Sequence, residues 1–303
     1  MSSTCRVILM GDPEYFRIKA GANPHTRDRW GRRKDVDRDL ARRQWDSAVQ
    51  TFRRYGVRVQ IIPAVEGLPG LVFPANAGFL LEKKFYLSNV FPGRAAEKEV
   101  YGKFISSLGL AVKTLPEDIR FEGEADFFSA AGGYLLTYGK IVSPHWIPAL
   151  GFPPYRRVYG FRTDKAIIKT LRSLMPGKKI LSLELADESY YHGDTVACAF
   201  GKKLEYLMVY AKGLTGASLE RLKSEFTGTL IYLSDYDAAL FAANSFCVDA
   251  GGDPLLFCPA GLSEELHSTL RVLKICPVPI DVSEFLSKGG GSVKCMICDL
   301  GPE

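Results

Sequence analysis

Thr195-Val196-Ala197-Cys198-Ala199-Phe200, Gly201-Lys202-Lys203 and Leu207-Met208-Val209-Tyr210 read as two apolar strands joined by a tight turn. β-Branched and aromatic residues on either side of a Gly-Lys-Lys break make a hairpin. A helix is expected after Ser218, stopping at Thr227-Gly228, and Leu230-Ile231-Tyr232-Leu233 follows as a further strand. The order of helix, short punctuator and apolar strand occurs four more times. The first helix runs from about Val36 to Tyr55, stops at Gly56 and leads into Val57 to Ile62. The second, near Ala95 to Leu108, stops at Gly109 before Leu110-Ala111-Val112. Another opens after Asp164, read as its N-cap, and stops at Pro176-Gly177 before Lys179 to Leu183; the last opens after Ser263 and leads to Ile275 to Ile280. These starts and stops are ordinary helix punctuation.

Further strands lie between successive helices, so the chain divides into five units of about sixty residues, each with one helix and several strands, the mark of a repeat architecture. A ring of five such units brings their inner ends to one central site, although an open α/β sheet gives a similar string. No linker or low-complexity segment divides the 303 residues, and one catalytic domain over 1–303 is expected. The longest irregular piece, Ile141 to Tyr159, carries Pro144, Pro148, Pro153 and Pro154 and reads as an ordered surface loop or lid.

Composition excludes several function classes. At 47% hydrophobic and 24% charged the chain is a typical globular one. The most basic segment, His25 to Arg43, mixes eight Lys/Arg with four Asp, which describes a solvated helix face and argues against a nucleic-acid partner. No stretch reaches the ~18 apolar residues of a membrane span. The N-terminus runs straight into Val7-Ile8-Leu9-Met10, without a basic leader and cleavage site. Seven cysteines, an odd number scattered through apolar runs, favour reduced thiols in a cytoplasmic compartment.

Chemistry is expected at Gly289-Gly290-Gly291-Ser292-Val293-Lys294-Cys295-Met296. Three glycines let the backbone take positive φ and pass close to another group, and packing alone gives no reason for such a loop beside a buried cysteine. Cys295 to Leu300 reads as a short buried strand. Cys295-Met296-Ile297-Cys298 is formally C-x-x-C, but inside an apolar strand its thiols point to opposite faces and redox chemistry is not expected. Of the four histidines, His267 falls in a helix, His145 in the proline-rich loop and His25 in the basic segment. His192, in Tyr191-His192-Gly193-Asp194-Thr195 at a strand mouth, is where a base would be exposed.

Glu122, Glu124 and Asp126 crowd three carboxylates into Phe121 to Phe128. Such a cluster among aromatics persists where a cation sits in it, unless it is a solvated turn. Zinc-type Cys/His spacing is absent, so no metal is expected and an organic cation fits better. Asn76, between apolar runs, needs hydrogen-bond partners if buried, whereas Asn23 before Pro24 reads first as a turn former.

Together these stretches resemble the guanidino-group-modifying superfamily, the five-bladed α/β propellers (penteins, built of ββαβ repeats) of the amidinotransferase, dimethylarginine dimethylaminohydrolase and arginine deiminase kind. The nearest likeness is to the hydrolase part of the bacterial arginine dihydrolases. It covers Met10 to Pro24, Leu68 to Gly78, Phe121 to Phe127, Gly160 to Asp164, His192 to Thr195 and Gly289 to Met296. The resemblance implies Cys295 as nucleophile toward a guanidinium carbon, His192 as general acid and base, and Glu122 as acid partner, with Asp126 second and Glu124 open. Asp194 becomes a further guanidinium contact and Arg162 a holder of the substrate α-carboxylate. Asn23 and Asn76 match the dihydrolase-like members; deiminases carry aspartate at the position of Asn76.

No cofactor is implied. The partner is a small guanidino compound, in a chain compatible with homo-oligomerisation. Arginine hydrolysis to ornithine, ammonia and carbon dioxide is the leading expectation. A dimethylarginine hydrolase or an amidinotransferase would use the same Cys-His-acid set, and a non-catalytic guanidino-binding scaffold is the alternative of another class. Ile141 to Tyr159 is longer than in dihydrolase-like sequences and lies near the expected substrate mouth.

Overall fold

The computed structural model describes residues 5–19, 23–141, 145–148, 155–249 and 251–303. Its elements in chain order are β1 (Arg6–Gly11), α1 (Arg38–Arg54), β2 (Arg58–Ile62), β3 (Gly78–Leu81), β4 (Lys84–Leu87), α2 (Glu97–Ser107) and β5 (Ala111–Thr114). There follow β6 (Phe127–Ala130), β7 (Gly133–Tyr138), β8 (His145–Pro148), β9 (Tyr155–Val158), α3 (Ile167–Leu174) and β10 (Ile180–Glu184). The next are β11 (Ala197–Phe200), β12 (Tyr206–Val209), α4 (Gly216–Glu225), β13 (Thr229–Tyr232) and α5 (Asp235–Ala239). The chain ends with β14 (Phe246–Val248), β15 (Leu255–Pro259), α6 (Glu264–Val272), β16 (Cys276–Ile280), α7 (Ser283–Gly289) and β17 (Cys298–Pro302).

Among the described residues five three-stranded sheets repeat one plan, in which an antiparallel strand pair is followed by a helix and a strand parallel to the pair's second member. The sheets are β3-β4-β5, β6-β7-β10, β11-β12-β13, β14-β15-β16 and β17-β1-β2. In each, the first pair is antiparallel and the second parallel. The first strands of successive sheets meet: β17 packs on β3, β6 on β11 and β11 on β14. Phe79 of β3 bridges to Phe127 of β6 with ring centroids 5.2 Å apart, and Phe52 of α1 packs on Phe257 of β15 at 4.6 Å to close the circle. The architecture is the five-bladed α/β propeller, with separate blades in place of one open sheet.

Local chemistry explains the helices. Asp37 caps α1 by accepting from the Leu40 amide, and Ala41, Trp45, Ala48, Val49 and Phe52 form its buried stripe at helical spacing. Ser263 caps α6 in the same way through the Leu266 amide. Two expected starts shift. α4 begins before Ser218, because Thr215 takes the cap and accepts from the Ser218 amide. Asp164 instead holds the turn ahead of α3, its side chain accepting from the Ala166 amide.

The expected loop at Ile141 to Tyr159 contains the antiparallel pair β8-β9, registered His145 to Val158; its remaining part, with residues 142–144 and 149–154, lies outside the described residues. The expected strand from Cys295 to Leu300 begins three residues late: Val293 to Met296 form a turn, and pairing with β1 starts at Cys298. Among the described residues no helix is long and apolar enough to cross a membrane.

Candidate active site

The turn that enters the inner strand of each blade carries one of the site's polar groups. Asn76 precedes β3, Glu122 precedes β6, His192 and Asp194 precede β11, Asn244 precedes β14 and Cys295 precedes β17. All are buried, because those turns converge on the axis of the ring. A cavity of about 370 Å³ reaches Asn76, Glu122, His192 and Cys295 from one face, with Asn23, Phe73, Arg94, Arg162 and Tyr191 among its other lining residues.

The glycine run shapes the floor. Gly290 ends α7 in the left-handed region at φ 73°, its N–H donating to the Leu286 carbonyl. On either side the backbone presses on an aromatic ring: a Cβ at Gly289 or Gly291 would lie 2.6 or 2.7 Å from the Phe73 side chain. The turn that follows is tied down by Asn244, whose Oδ1 accepts from the backbone N–H of both Ser292 and Cys295 at 3.0 Å. Its Nδ2 lies 3.2 Å from Cys295 Sγ and donates to the Asp194 carbonyl. Behind the thiol, Asp194 Oδ2 accepts from Sγ at 3.5 Å. Burial and then the Asp194 charge raise the thiol far above its usual pKa, against the hydrogen bond from Asn244, and so favour the thiol form of Cys295.

His192 Nε2 lies 2.8 Å from Glu122 Oε2. Glu122 also accepts from Asn76 Nδ2 at 3.0 Å and from the Phe91 amide at 2.7 Å. Burial would raise the Glu122 carboxyl, but the hydrogen bond and charge of His192, with the Arg162 and Arg94 guanidiniums, bring it to about 2. His192 moves the other way. Burial lowers it, and Asp126, Glu122 and Asp194 outweigh that, so its pKa is raised. A carboxylate on Nε2 selects the N–H form there, so the Asn76 amide, 3.3 Å from the same nitrogen, donates to Glu122 instead. Asn76 is oriented in turn by Arg94, which donates to its Oδ1 at 2.7 Å and to Glu97 at 2.8 Å.

The remaining expected residues divide. Asn23 lines the cavity, donating to Tyr191 Oη at 3.1 Å and the Gly289 carbonyl at 2.9 Å, while its Oδ1 is buried without a hydrogen-bond partner. Arg162 lies over the Phe91 ring at 4.7 Å and the Tyr191 ring at 5.4 Å. Asp126 is placed outside the cavity lining. Its oxygens accept from Thr137 Oγ1 at 2.6 Å, Thr163 Oγ1 at 2.7 Å and the Gly193 amide at 2.9 Å, which fixes the His192 turn. Glu124 pairs with Lys294 and accepts from the Asp299 amide on the far side of the turn that carries Cys295. Asp194 does not line the cavity either; burial raises its carboxyl to about 6, against the pull of His192 and Lys294. His25 Nε2 donates to the Ser189 carbonyl, 2.8 Å away, and the ring stands beside Gly290. Among the described residues no group of three His, Cys, Asp or Glu is arranged to hold a metal.

Asn244, Arg94 and Tyr191 escape a motif-by-motif reading. Asn244 sits two residues before its inner strand, as Asn76 does before β3, so aligning the five repeats is the signal that finds it. Arg94 and Tyr191 follow from no repeat position, only from the packing around Asn76 and Asn23.

The model of the family "N,N dimethylarginine dimethylhydrolase, eukaryotic" matches residues 12–138 and 158–301. The N(G),N(G)-dimethylarginine dimethylaminohydrolase of Mycobacterium tuberculosis is 30% identical over 98% of this chain and 86% of its own length. The bifunctional arginine dihydrolase/ornithine cyclodeaminase AgrE of Nostoc is 27% identical over 98% of this chain, which spans 38% of that protein. The product-bound N-terminal domain of the cyanobacterial arginine dihydrolase ArgZ superposes with a TM-score of 0.83 at 24% identity, covering 98% of both chains, a likeness of fold. With the model matched on both sides of the β8-β9 hairpin, this chain belongs to the dimethylarginine dimethylaminohydrolase family.

Proposed function

We propose that this chain is a cofactor-independent hydrolase of the guanidino group of arginine or an arginine-like compound, working through a covalent adduct on Cys295. The observation that carries it is the placing of the Cys295 thiol in one cavity with the buried Glu122–His192 pair. A planar cation entering the cavity meets the Glu122 carboxylate and the unpartnered Oδ1 of Asn23, and its charge offsets the burial and the Asp194 charge that keep the thiol protonated. The thiol proton passes to Asp194, whose Oδ2 accepts from it, and sulfur adds to the guanidinium carbon. His192, whose protonated form the surrounding carboxylates favour, gives its proton to the departing nitrogen, and the neutral imidazole next activates water against the thiouronium carbon. Arg162 holds the α-carboxylate.

Arginine is the leading substrate. Asn76 offers the reacting centre a neutral amide where an aspartate would add a charge, and a neutral site also accepts the ureido group of citrulline. A second round releases a second ammonia and leaves a carbamate that breaks down to ornithine and carbon dioxide. Incubation with L-arginine, scoring ornithine, citrulline and ammonia with Cys295→Ser as control, tests the reading. Ornithine with two ammonia, lost in the variant, supports it; citrulline alone removes the second round.

The family match and the M. tuberculosis relative favour a second reading, dimethylarginine as substrate. Dimethylamine and citrulline from dimethylarginine, with no turnover of arginine, would select it. In either case we place the protein in the cytoplasm, consistent with free cysteines throughout the described residues.

A further inference from the structure

A substrate bound in the front cavity would stand between Cys295 and that cavity's mouth when a first small product leaves. A second cavity, about 330 Å³, lies on the other side of the catalytic turn. Exposed Ser129 and Pro302 stand among its lining residues, and buried Asp194 and Lys294 do too, so it runs from the surface to the axis. Cys295 lines the front cavity and its chain neighbour Lys294 the rear one, which makes the turn Val293 to Met296 the partition. Asp194 lines the rear cavity while its Oδ2 accepts from the Cys295 thiol at 3.5 Å; its Oδ1 is buried without a hydrogen-bond partner.

We propose that the rear cavity is the passage by which ammonia leaves the covalent step and water reaches the adduct, with Asp194 as its inner gatepost. This rests on the guanidino-hydrolase reading above. In that step the thiol proton goes to Asp194 Oδ2, the sulfur–carbon bond forms, the carbon–nitrogen bond breaks, and the His192 proton goes to the departing nitrogen, so the adduct keeps the positive charge and the product is neutral NH₃. Asp194 Oδ1 is an acceptor for its N–H. The aromatic walls, among them Phe79, Phe127 and Phe246, pass a neutral molecule more readily than an ammonium, which would have to shed its water beside the Lys294 charge. The passage therefore takes small neutral amines and water.

Filling the passage without touching the front cavity tests this. Ser129→Trp stands at the mouth and Ala199→Leu along the wall, and each is checked for an unchanged melting temperature. Three readouts are compared with the unaltered protein: Cys295 alkylation by 2-chloroacetamidine, turnover of arginine, and formation of Nω-methylarginine when methylamine is present to capture the adduct. Alkylation enters from the front and should stay within about two-fold, while kcat and the ratio of methylarginine to hydrolysis product each fall at least about ten-fold. Folded variants that keep both kcat and the ratio within about two-fold overturn the passage. If the unaltered protein releases neither ammonia from arginine nor dimethylamine from dimethylarginine, the guanidino reading itself fails, and the passage with it. Ser129 is a surface position, so a folding failure of the Ala199→Leu variant leaves the mouth variant to decide.

Discussion

Asn244 holds Cys295 at both ends, its Oδ1 accepting the Cys295 backbone N–H at 3.0 Å and its Nδ2 lying 3.2 Å from the sulfur. One amide thus fixes where the nucleophile stands and offers the developing thiolate a donor. Asn244→Asp keeps the acceptor for the backbone and replaces the donor by an oxygen. The thiol pKa should rise further, and alkylation of Cys295 at pH 8 should slow by about ten-fold, the effect of one pKa unit. A pH series of alkylation rates checks this, and an unchanged midpoint would mean the donor does not reach the thiolate.

Glu122→Gln removes a carboxylate charge that raises His192 and leaves at most a neutral acceptor in its place. Because the proposed acid is the protonated imidazole, activity falls as pH rises through the His192 pKa, and lowering that pKa moves the fall to lower pH. The alkaline limb of kcat/KM should shift down by about one unit, with a loss of roughly a hundred-fold at the optimum. A limb that stays in place would assign it to another group.

At Asn76 the orientation set by Arg94 decides what an aspartate does. Asn76→Asp puts an oxygen 3.0 Å from the Glu122 carboxylate in place of a donor. The repulsion raises both carboxyls, and the new charge binds arginine but not a neutral ureido group. The ratio of citrulline to ornithine should increase by about ten-fold or more while kcat for the first round falls. Product ratios by mass spectrometry are the readout; no change in ratio would remove Asn76 from product choice.

Asp194 carries a stability cost. Its carboxyl is raised to about 6 from an ordinary value of 3.8, so the folded state binds the proton more tightly and stability declines as pH rises from about 4 to 6. Asp194→Asn escapes that decline. At pH 8 it should melt higher, by on the order of 2 kcal/mol of added stability, and at pH 3.5 the gain should vanish. Melting curves at both pH values decide it, and ammonia release should be lost in the same variant.

The repeat was legible because each blade separates its helix from its strands by Gly, Pro or a capping hydroxyl, and propensity and packing agree at those places. What the periodicity does not carry is closure, since β17 finds β1 across nearly the whole chain and nothing local announces it. The residues around Cys295 were legible as motifs, yet Glu124 and Asp126, two and four positions from Glu122, point to different tasks: one balances Lys294 and the other braces the His192 turn. Three carboxylates in a short run look alike until the turn that displays them is folded. Asn244 shows the converse, a residue with no motif that matters only because the ring brings it under the thiol.

β17 pairs with β1 and begins three residues after Cys295. The blade that completes the circle is therefore stitched from the two most distant parts of the sequence, and the nucleophile hangs from the stitch. Cys295 is therefore synthesised well after Asn76, Glu122 and His192, and the pairing of β17 with β1 is what fixes the end of the turn that sets its thiol among them.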